Sequence, residues 1–173
     1  MTAAAILLAG VGCLAAFAGW VLPRPTLPAA AATAALAGGV LAAVLETEPV
    51  TSAMSAVLLV VAGLLAVLGG GPVATAIFAW VDRDQSDQPG SLRGAGEVLR
   101  GGAWIGALER AAVYATVVAG WPPGLAVLLA LKGLGRYPEL RVREDSGAAE
   151  RFIIGTLASS LWAIACAGLA LSA

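Results

Sequence analysis

Histidine is absent from the 173-residue sequence, and charged and aromatic residues make up only 12% and 6% of it. Soluble domains average about 25% charged residues, so this chain has too few polar side chains to cover a water-soluble core. Hydrophobic residues reach 60% of the chain, which also excludes a disordered protein. The lack of histidine argues against any mechanism that needs a histidine base or metal ligand. The composition therefore predicts a protein whose solvent is the lipid bilayer.

Cysteine is scarce, and the two that are present, Cys13 and Cys166, both lie inside apolar runs. Two thiols so far apart in the sequence are more simply small packing residues than a disulfide or a metal pair. Basic residues do not form the dense patch with interleaved aromatics that is typical of nucleic-acid-binding proteins. No phosphate loop, dinucleotide fingerprint, zinc spacing or nucleophile elbow is present. We therefore expect no nucleic-acid partner, no cofactor and no metal.

Apolar runs long enough for membrane helices recur along the whole chain. A helix needs about 20 apolar residues to cross the hydrocarbon core, with a working range of about 17–25. We predict an all-α, polytopic transmembrane bundle that forms one integral membrane domain over residues 1–173. The six predicted spans lie at residues 3–21, 29–45, 52–80, 103–120, 123–136 and 152–171. A long charged cytoplasmic loop is predicted at residues 82–102.

The third apolar run contains an unusual cluster of helix-breaking residues: Gly69, Gly70, Gly71 and Pro72. Three glycines lower helix propensity, and proline suits the first turn of a new helix. We therefore predict that the third span breaks here. A broken helix could offer free backbone groups to an ion or anion. The alternative is a kink, or a turn followed by a short interfacial helix over residues 72–82.

The placement of Lys and Arg predicts the orientation of the bundle. With the N-terminus outside, the loops that carry arginine all face the cytoplasm, as the positive-inside rule requires. These arginines are Arg24, Arg83, Arg93, Arg100, Arg136, Arg141, Arg143 and Arg151. Four tryptophans fall near predicted span ends, where an aromatic belt would place them: Trp20, Trp80, Trp104 and Trp121. We predict a multi-pass protein of the cytoplasmic membrane with both termini outside.

Charged residues within or beside the last three spans form the candidate site, because ionisable groups inside a membrane are costly and usually functional. They are Glu109, Arg110, Lys132, Arg136, Glu150 and Arg151. Adjacent helical positions point about 100° apart, so Glu109 and Arg110 each need a partner elsewhere. We expect Glu109 to pair with Lys132 or Arg136, and Arg110 to pair with Glu150.

Three interpretations of this cluster remain open. The ion pairs lock three helices together, or the cations bind an anionic solute or lipid head group, or Glu109 is a proton-coupled carboxylate. Hydroxyl residues of the sixth span, Thr156, Ser159 and Ser160, are expected to form hydrogen bonds between helices or to the preceding turn rather than a catalytic set.

Three segments of the second half carry a resemblance: GALER at residues 106–110, ALKGLGRYPEL at 130–140 and AERFIIGTL at 149–157. They resemble, in order, motifs of an uncharacterised family of bacterial polytopic membrane proteins, over residues 101–160. The resemblance implies no activity, but it implies that the family's charged positions correspond to the six residues of the candidate site. Gly133 stands where the family has a serine, and the first half lacks the polar residues that the family's helices usually carry.

Together these features favour a small transport or ligand-binding membrane protein, with a charged cytoplasm-facing site for an anionic or lipid-like solute. The alternative is a structural or accessory subunit that docks a partner through its charged loops. A third hypothesis is a membrane enzyme acting on a lipid head group, with Glu109 as general base, although no nucleophile and base are paired. The expected partners are the bilayer, an anionic lipid or small solute, and another protein or a second copy of the chain.

Overall fold

The computed structural model describes residues 2–45, 50–81, 100–142 and 146–172, with the side chains of 2, 100, 101, 136–142 and 146–148 left undescribed. These residues form an all-helical bundle, as the sequence predicts, without a strand in the described ranges. Its helices are α1 (Thr2–Val21), α2 (Thr26–Val44), α3 (Ser52–Val81), α4 (Arg100–Val118), α5 (Pro122–Val142) and α6 (Ser146–Leu171). Most of the predicted charged loop, residues 82–99, lies outside the described residues.

Four helices in the described part of the chain are long and apolar enough to cross a membrane. The qualifying segments are Ala3–Val21, Thr26–Val44, Ser52–Val81 and Ala149–Leu171. Helix α5 contributes a shorter apolar stretch, Pro122–Gly135. The architecture is therefore that of a membrane protein. The remaining two predicted spans lie on α4 and α5, which carry Glu109, Arg110 and Lys132.

The predicted break of the third span at Gly69, Gly70, Gly71 and Pro72 is wrong. Helix α3 runs through all four residues without interruption, from Ser52 to Val81. A proline inside a helix removes one hydrogen bond, because it has no N–H to donate to the carbonyl four residues earlier. In α3 that carbonyl belongs to Leu68, and the indole Nε1 of Trp20 on α1 donates to it at 2.8 Å. A side chain from another helix thus replaces the bond that Pro72 cannot make.

The predicted end of the fifth span at residue 136 is not a helix end either. Helix α5 continues through Pro138 to Val142. A single proline removes one hydrogen bond, and the Glu, Leu and Arg that follow it are good helix formers. Helix α5 therefore loses one hydrogen bond at Pro138 and continues beyond it.

Helix α3 occupies the centre of the bundle, where it packs against α1, α2, α4 and α6, while α5 packs on α4. The core consists mainly of alanines from α1, α2, α3 and α6, with a few larger fully buried residues: Leu58, Leu65, Leu169 and Cys166. Small residues allow helix backbones to approach closely, which is how helices associate where no hydrophobic effect drives them together. Cys13 and Cys166 are free thiols.

Three side chains from three different helices donate hydrogen bonds to carbonyls of α3 immediately before Pro72. Trp20 Nε1 of α1 donates to Leu68 O at 2.8 Å, Arg110 Nε of α4 to Val67 O at 2.9 Å, and Trp162 Nε1 of α6 to Leu65 O at 3.1 Å. Buried polar groups in a bilayer must be satisfied within the protein, since no water is present. We call these three side chains the α3 donors.

The glycine run provides the space that the α3 donors occupy. A Cβ built on Gly69 would lie 2.7 Å from Trp162 Cε2, one on Gly70 would lie 2.9 Å from Arg110 Nε, and one on Gly71 would lie 2.9 Å from Trp20 Cη2. Real Cβ atoms essentially never approach other heavy atoms within 3.0 Å. Each glycine thus accommodates one donor, so the run is required for close packing rather than for a break.

Replacement of Trp20 tests whether it substitutes for the missing N–H of Pro72. Trp20→Phe leaves Leu68 O without a donor, so we expect it to lower the free energy of unfolding by about 1–3 kcal/mol. In a Pro72→Ala background the backbone N–H introduced at position 72 can donate to Leu68 O, and the cost of Trp20→Phe should fall. A denaturant titration in mixed micelles measures the free energy of unfolding of the unmodified protein, the two single variants and the double variant. Equal costs in both backgrounds would contradict the compensation.

Alanine at Gly69 tests the packing role of the glycine run. The added methyl group must displace the indole of Trp162, which is only 6% exposed, and overpacking of this kind typically costs about 1–3 kcal/mol. Gly168→Ala on α6 is the matched control, because a Cβ there meets nothing within 4 Å and alanine is the better helix former. Thermal unfolding in one detergent compares the two variants. Gly69→Ala as stable as Gly168→Ala would exclude the packing role.

Candidate functional site

A small cavity lies between α4, α5 and α6, where three of the six predicted site residues meet. Its volume is about 30 Å³, which is room for about two water molecules. Polar side chains from all three helices line it, together with Val113, Leu128 and Leu129; the polar set is Glu109, Arg110, Lys132, Ser159 and Ser160. We call this cavity the α4–α6 cleft.

Glu109 and Lys132 form an ion pair at the wall of the α4–α6 cleft. Lys132 Nζ on α5 donates to Glu109 Oε2 on α4. Of the two partners predicted for Glu109, Lys132 is thus the one observed. The side chain of Glu109 is only 28% exposed and that of Lys132 only 22%. A charge so far removed from solvent is costly without its counter-ion. The pair also joins α5 to α4, the helix against which α5 packs.

Arg110 is the most buried charged side chain in the described part of the chain, with 5% of its surface exposed. Its Nε donates to Val67 O of α3 at 2.9 Å. Its Nη2 is buried and has no hydrogen-bond partner among the described residues. Gly106, one turn earlier on α4, leaves room for the other amino group, since a Cβ there would lie 3.1 Å from Nη1. The guanidinium is therefore held at Nε and unsatisfied at Nη2.

The predicted ion pair between Arg110 and Glu150 is wrong. Glu150 is exposed near the start of α6, whereas Arg110 reaches towards the carbonyl of Val67 at the centre of the bundle. Adjacent positions on α4 direct Glu109 towards α5 and Arg110 towards α3, because a helix turns by about 100° per residue. Arg151 is partly exposed, and the side chain of Arg136 lies outside the described residues.

The hydroxyl residues of α6 differ in their surroundings, and the hydrogen bond predicted for Thr156 is absent among the described residues. Ser159 and Ser160 line the cleft, and Ser159 is buried. Thr156 does not make the predicted bond, because its Oγ1 is buried without a hydrogen-bond partner in the described part of the chain. Two buried polar atoms, Arg110 Nη2 and Thr156 Oγ1, are thus left unsatisfied near the middle of the bundle.

Sequence reasoning missed Trp162 altogether and assigned Trp20 only to an aromatic belt. The signal that could have located such donors is Pro72 itself. A proline in the middle of an uncharged run leaves one carbonyl without its N–H, and a buried carbonyl requires another donor. Indole N–H groups are among the few side-chain donors present in the apolar segments of this sequence.

Comparison with known proteins finds no matching family, no similar curated protein and no similar solved structure. The resemblance of residues 101–160 to a bacterial family therefore stays a prediction. In the described ranges, no group of three or more His, Cys, Asp and Glu residues could hold a metal ion. The chemistry of the site must be argued from its own geometry, which is one ion pair, one partly satisfied guanidinium and two hydroxyls around a small cavity.

A double-mutant cycle measures the ion pair of the cleft. Glu109→Gln and Lys132→Met each leave one charge without its counter-ion, so each should lower the free energy of unfolding, while the double variant should recover much of the loss. The coupling energy should fall within about 0.5–3 kcal/mol. Chemical denaturation of the four proteins in one detergent gives this value. Additive losses would exclude a stabilising pair.

Proposed function

We propose that this chain is a small integral membrane protein of the transport or ligand-binding class that binds an anion in the α4–α6 cleft. The observation that supports this most directly is Arg110 Nη2, a buried cationic donor without a partner among the described residues. Buried donors are almost always satisfied, and each exception requires an explanation. An anion in the cleft would supply the acceptor that Nη2 lacks.

The charges around the cleft favour an anion over a cation. Among the described residues, Glu109 is the carboxylate that lines it, and Lys132 already binds that carboxylate. Arg110 donates to a neutral carbonyl, Val67 O, so the described lining keeps one net positive charge. A cation would therefore meet an uncompensated positive charge in surroundings that screen it poorly. The two serine hydroxyls can donate to an anion from the α6 side.

The proposal includes the topology indicated by the basic residues. We propose six spans in the cytoplasmic membrane with both termini outside, so that α4 begins at the cytoplasmic face. Glu109 and Arg110 are nine or ten residues from the start of α4 at Arg100, which places them about 14–15 Å along the helix. The cleft would then lie at intermediate depth and be reached from the cytoplasm, either by a free anion or by the anionic part of a lipid head group.

Anion-dependent stability tests the proposed function. The protein is placed in nanodiscs of phosphatidylcholine, and gluconate is replaced by chloride, nitrate, sulfate or phosphate at constant ionic strength. A second set of nanodiscs contains phosphatidylglycerol in gluconate, which separates a lipid head group from a free anion. A ligand that binds only the folded state raises the unfolding temperature, so we expect at least one of these anions to raise it.

Two variants decide whether the effect belongs to the cleft. Arg110→Met should abolish the anion-dependent rise in unfolding temperature, whereas Arg24→Met, the same change at an exposed arginine, should retain it. If Arg110→Met does not fold, the Ser159→Ala/Ser160→Ala variant keeps Arg110 and should reduce the rise. Stability that no anion changes, or a rise that survives at Arg110→Met, would overturn the proposal and favour a cluster that only locks the helices together.

A further inference from the structure

The described side chains that line the α4–α6 cleft carry one net positive charge, and this charge restricts the ligand. Among the described residues, three charged side chains line it: Glu109, Arg110 and Lys132. Glu109 and Lys132 form an ion pair, so the net charge of the described lining equals the single positive charge of Arg110. The rest of the lining is made of hydroxyl and apolar side chains. A second negative charge on the ligand would remain unpaired in a poorly solvated site, which costs several kcal/mol for a buried ion in general.

The size of the cleft restricts the ligand further. Its volume of about 30 Å³ is room for about two water molecules. A lipid head group, or an organic acid with a carbon chain, would extend out of this volume along the apolar wall formed by Val113, Leu128 and Leu129. A single small ion, with or without a water molecule, does fit.

The geometry of Arg110 restricts how the ligand is held. A guanidinium often binds a planar oxyanion through two parallel N–H groups, but here Nε is committed to Val67 O. The donors left for a ligand are the amino groups of Arg110, which lines the cleft and whose Nη2 has no partner among the described residues, and the hydroxyls of Ser159 and Ser160 on α6. This arrangement suits a compact acceptor that takes single bonds from several directions.

From charge, volume and donors together, we infer that the α4–α6 cleft binds one small monovalent inorganic anion, of the halide or nitrate class, and discriminates against divalent oxyanions and lipid head groups. The inference rests on the proposed function, since it specifies the anion that the same site takes. The neutral ion pair is the basis of the discrimination: Lys132 would add a second positive charge to the site if Glu109 did not compensate it.

Substitution of the ion pair changes the net charge of the cleft in known steps and so tests the inference. Glu109→Gln leaves two positive charges, Lys132→Met leaves none, and Glu109→Gln/Lys132→Met restores one while it removes the pair. The probe is chloride, whose chlorine NMR line broadens when the ion binds to protein in phosphatidylcholine nanodiscs. Nitrate and sulfate are added as competitors at constant ionic strength.

In the unmodified protein, nitrate should narrow the chloride line and sulfate should not. Lys132→Met should weaken chloride binding at least about tenfold, and the double variant, which restores one net positive charge, should bind chloride more tightly than Lys132→Met does. Glu109→Gln should admit sulfate as a competitor. Arg110→Met should lose the broadening that Arg24→Met retains. The double variant keeps the inference testable even if one single variant does not fold.

The outcomes separate the selectivity for a monovalent anion from the proposed anion-binding function. If sulfate, or phosphatidylglycerol added to the nanodiscs, competes with chloride as well as nitrate does and the competition depends on Arg110, the monovalent selectivity is overturned and the anion site remains. Equal chloride binding by Lys132→Met and by the double variant would overturn the role of net charge. Broadening that is the same in Arg110→Met and in Arg24→Met would overturn both the selectivity and the proposed function.

Discussion

Hydrogen bonds from three neighbouring helices to the carbonyls of α3 hold the centre of this bundle together. The Leu68 carbonyl has lost its helical donor to Pro72, and in a bilayer no water can replace it. Trp20 satisfies it at 2.8 Å, while Arg110 and Trp162 bind carbonyls within the preceding turn. Because these bonds come from α1, α4 and α6, they also define how those helices lie against α3. The glycine run before Pro72 allows the approach.

Arg110 connects this structural centre with the α4–α6 cleft. Its Nε is bound to α3, so the guanidinium cannot rotate freely, and its Nη2 is left unsatisfied among the described residues. The preceding residue, Glu109, points towards α5 and holds Lys132. Adjacent positions on α4 thus carry a carboxylate that is paired with Lys132 and a cation whose hydrogen-bond partner is a neutral carbonyl. That difference, rather than the number of charged residues, is what makes the cleft a candidate anion site.

Two of the corrected expectations have related physical causes. Gly69 to Pro72 are poor helix formers, and local propensity alone predicts that a helix ends there. Helix α3 continues because donors and close packing from other helices offset that propensity. The predicted Arg110–Glu150 pair was wrong for a related reason. The prediction assumed that Arg110 needs a charged partner. In the structure, the backbone carbonyl of Val67 at the centre of the bundle accepts its hydrogen bond.

Local features of the sequence were sufficient to predict the all-helical class, the long apolar helices and an ion pair of Glu109 with either Lys132 or Arg136. Run length, composition and the cost of a charge in an apolar segment are read from neighbouring residues alone. The choice of Lys132, the acceptor of Arg110 and the continuity of α3 were decided only by the tertiary structure. The α3 donors lie 43 to 97 residues from the carbonyls that they bind. A hydrogen bond depends on distance and direction in space, which only the packed bundle defines.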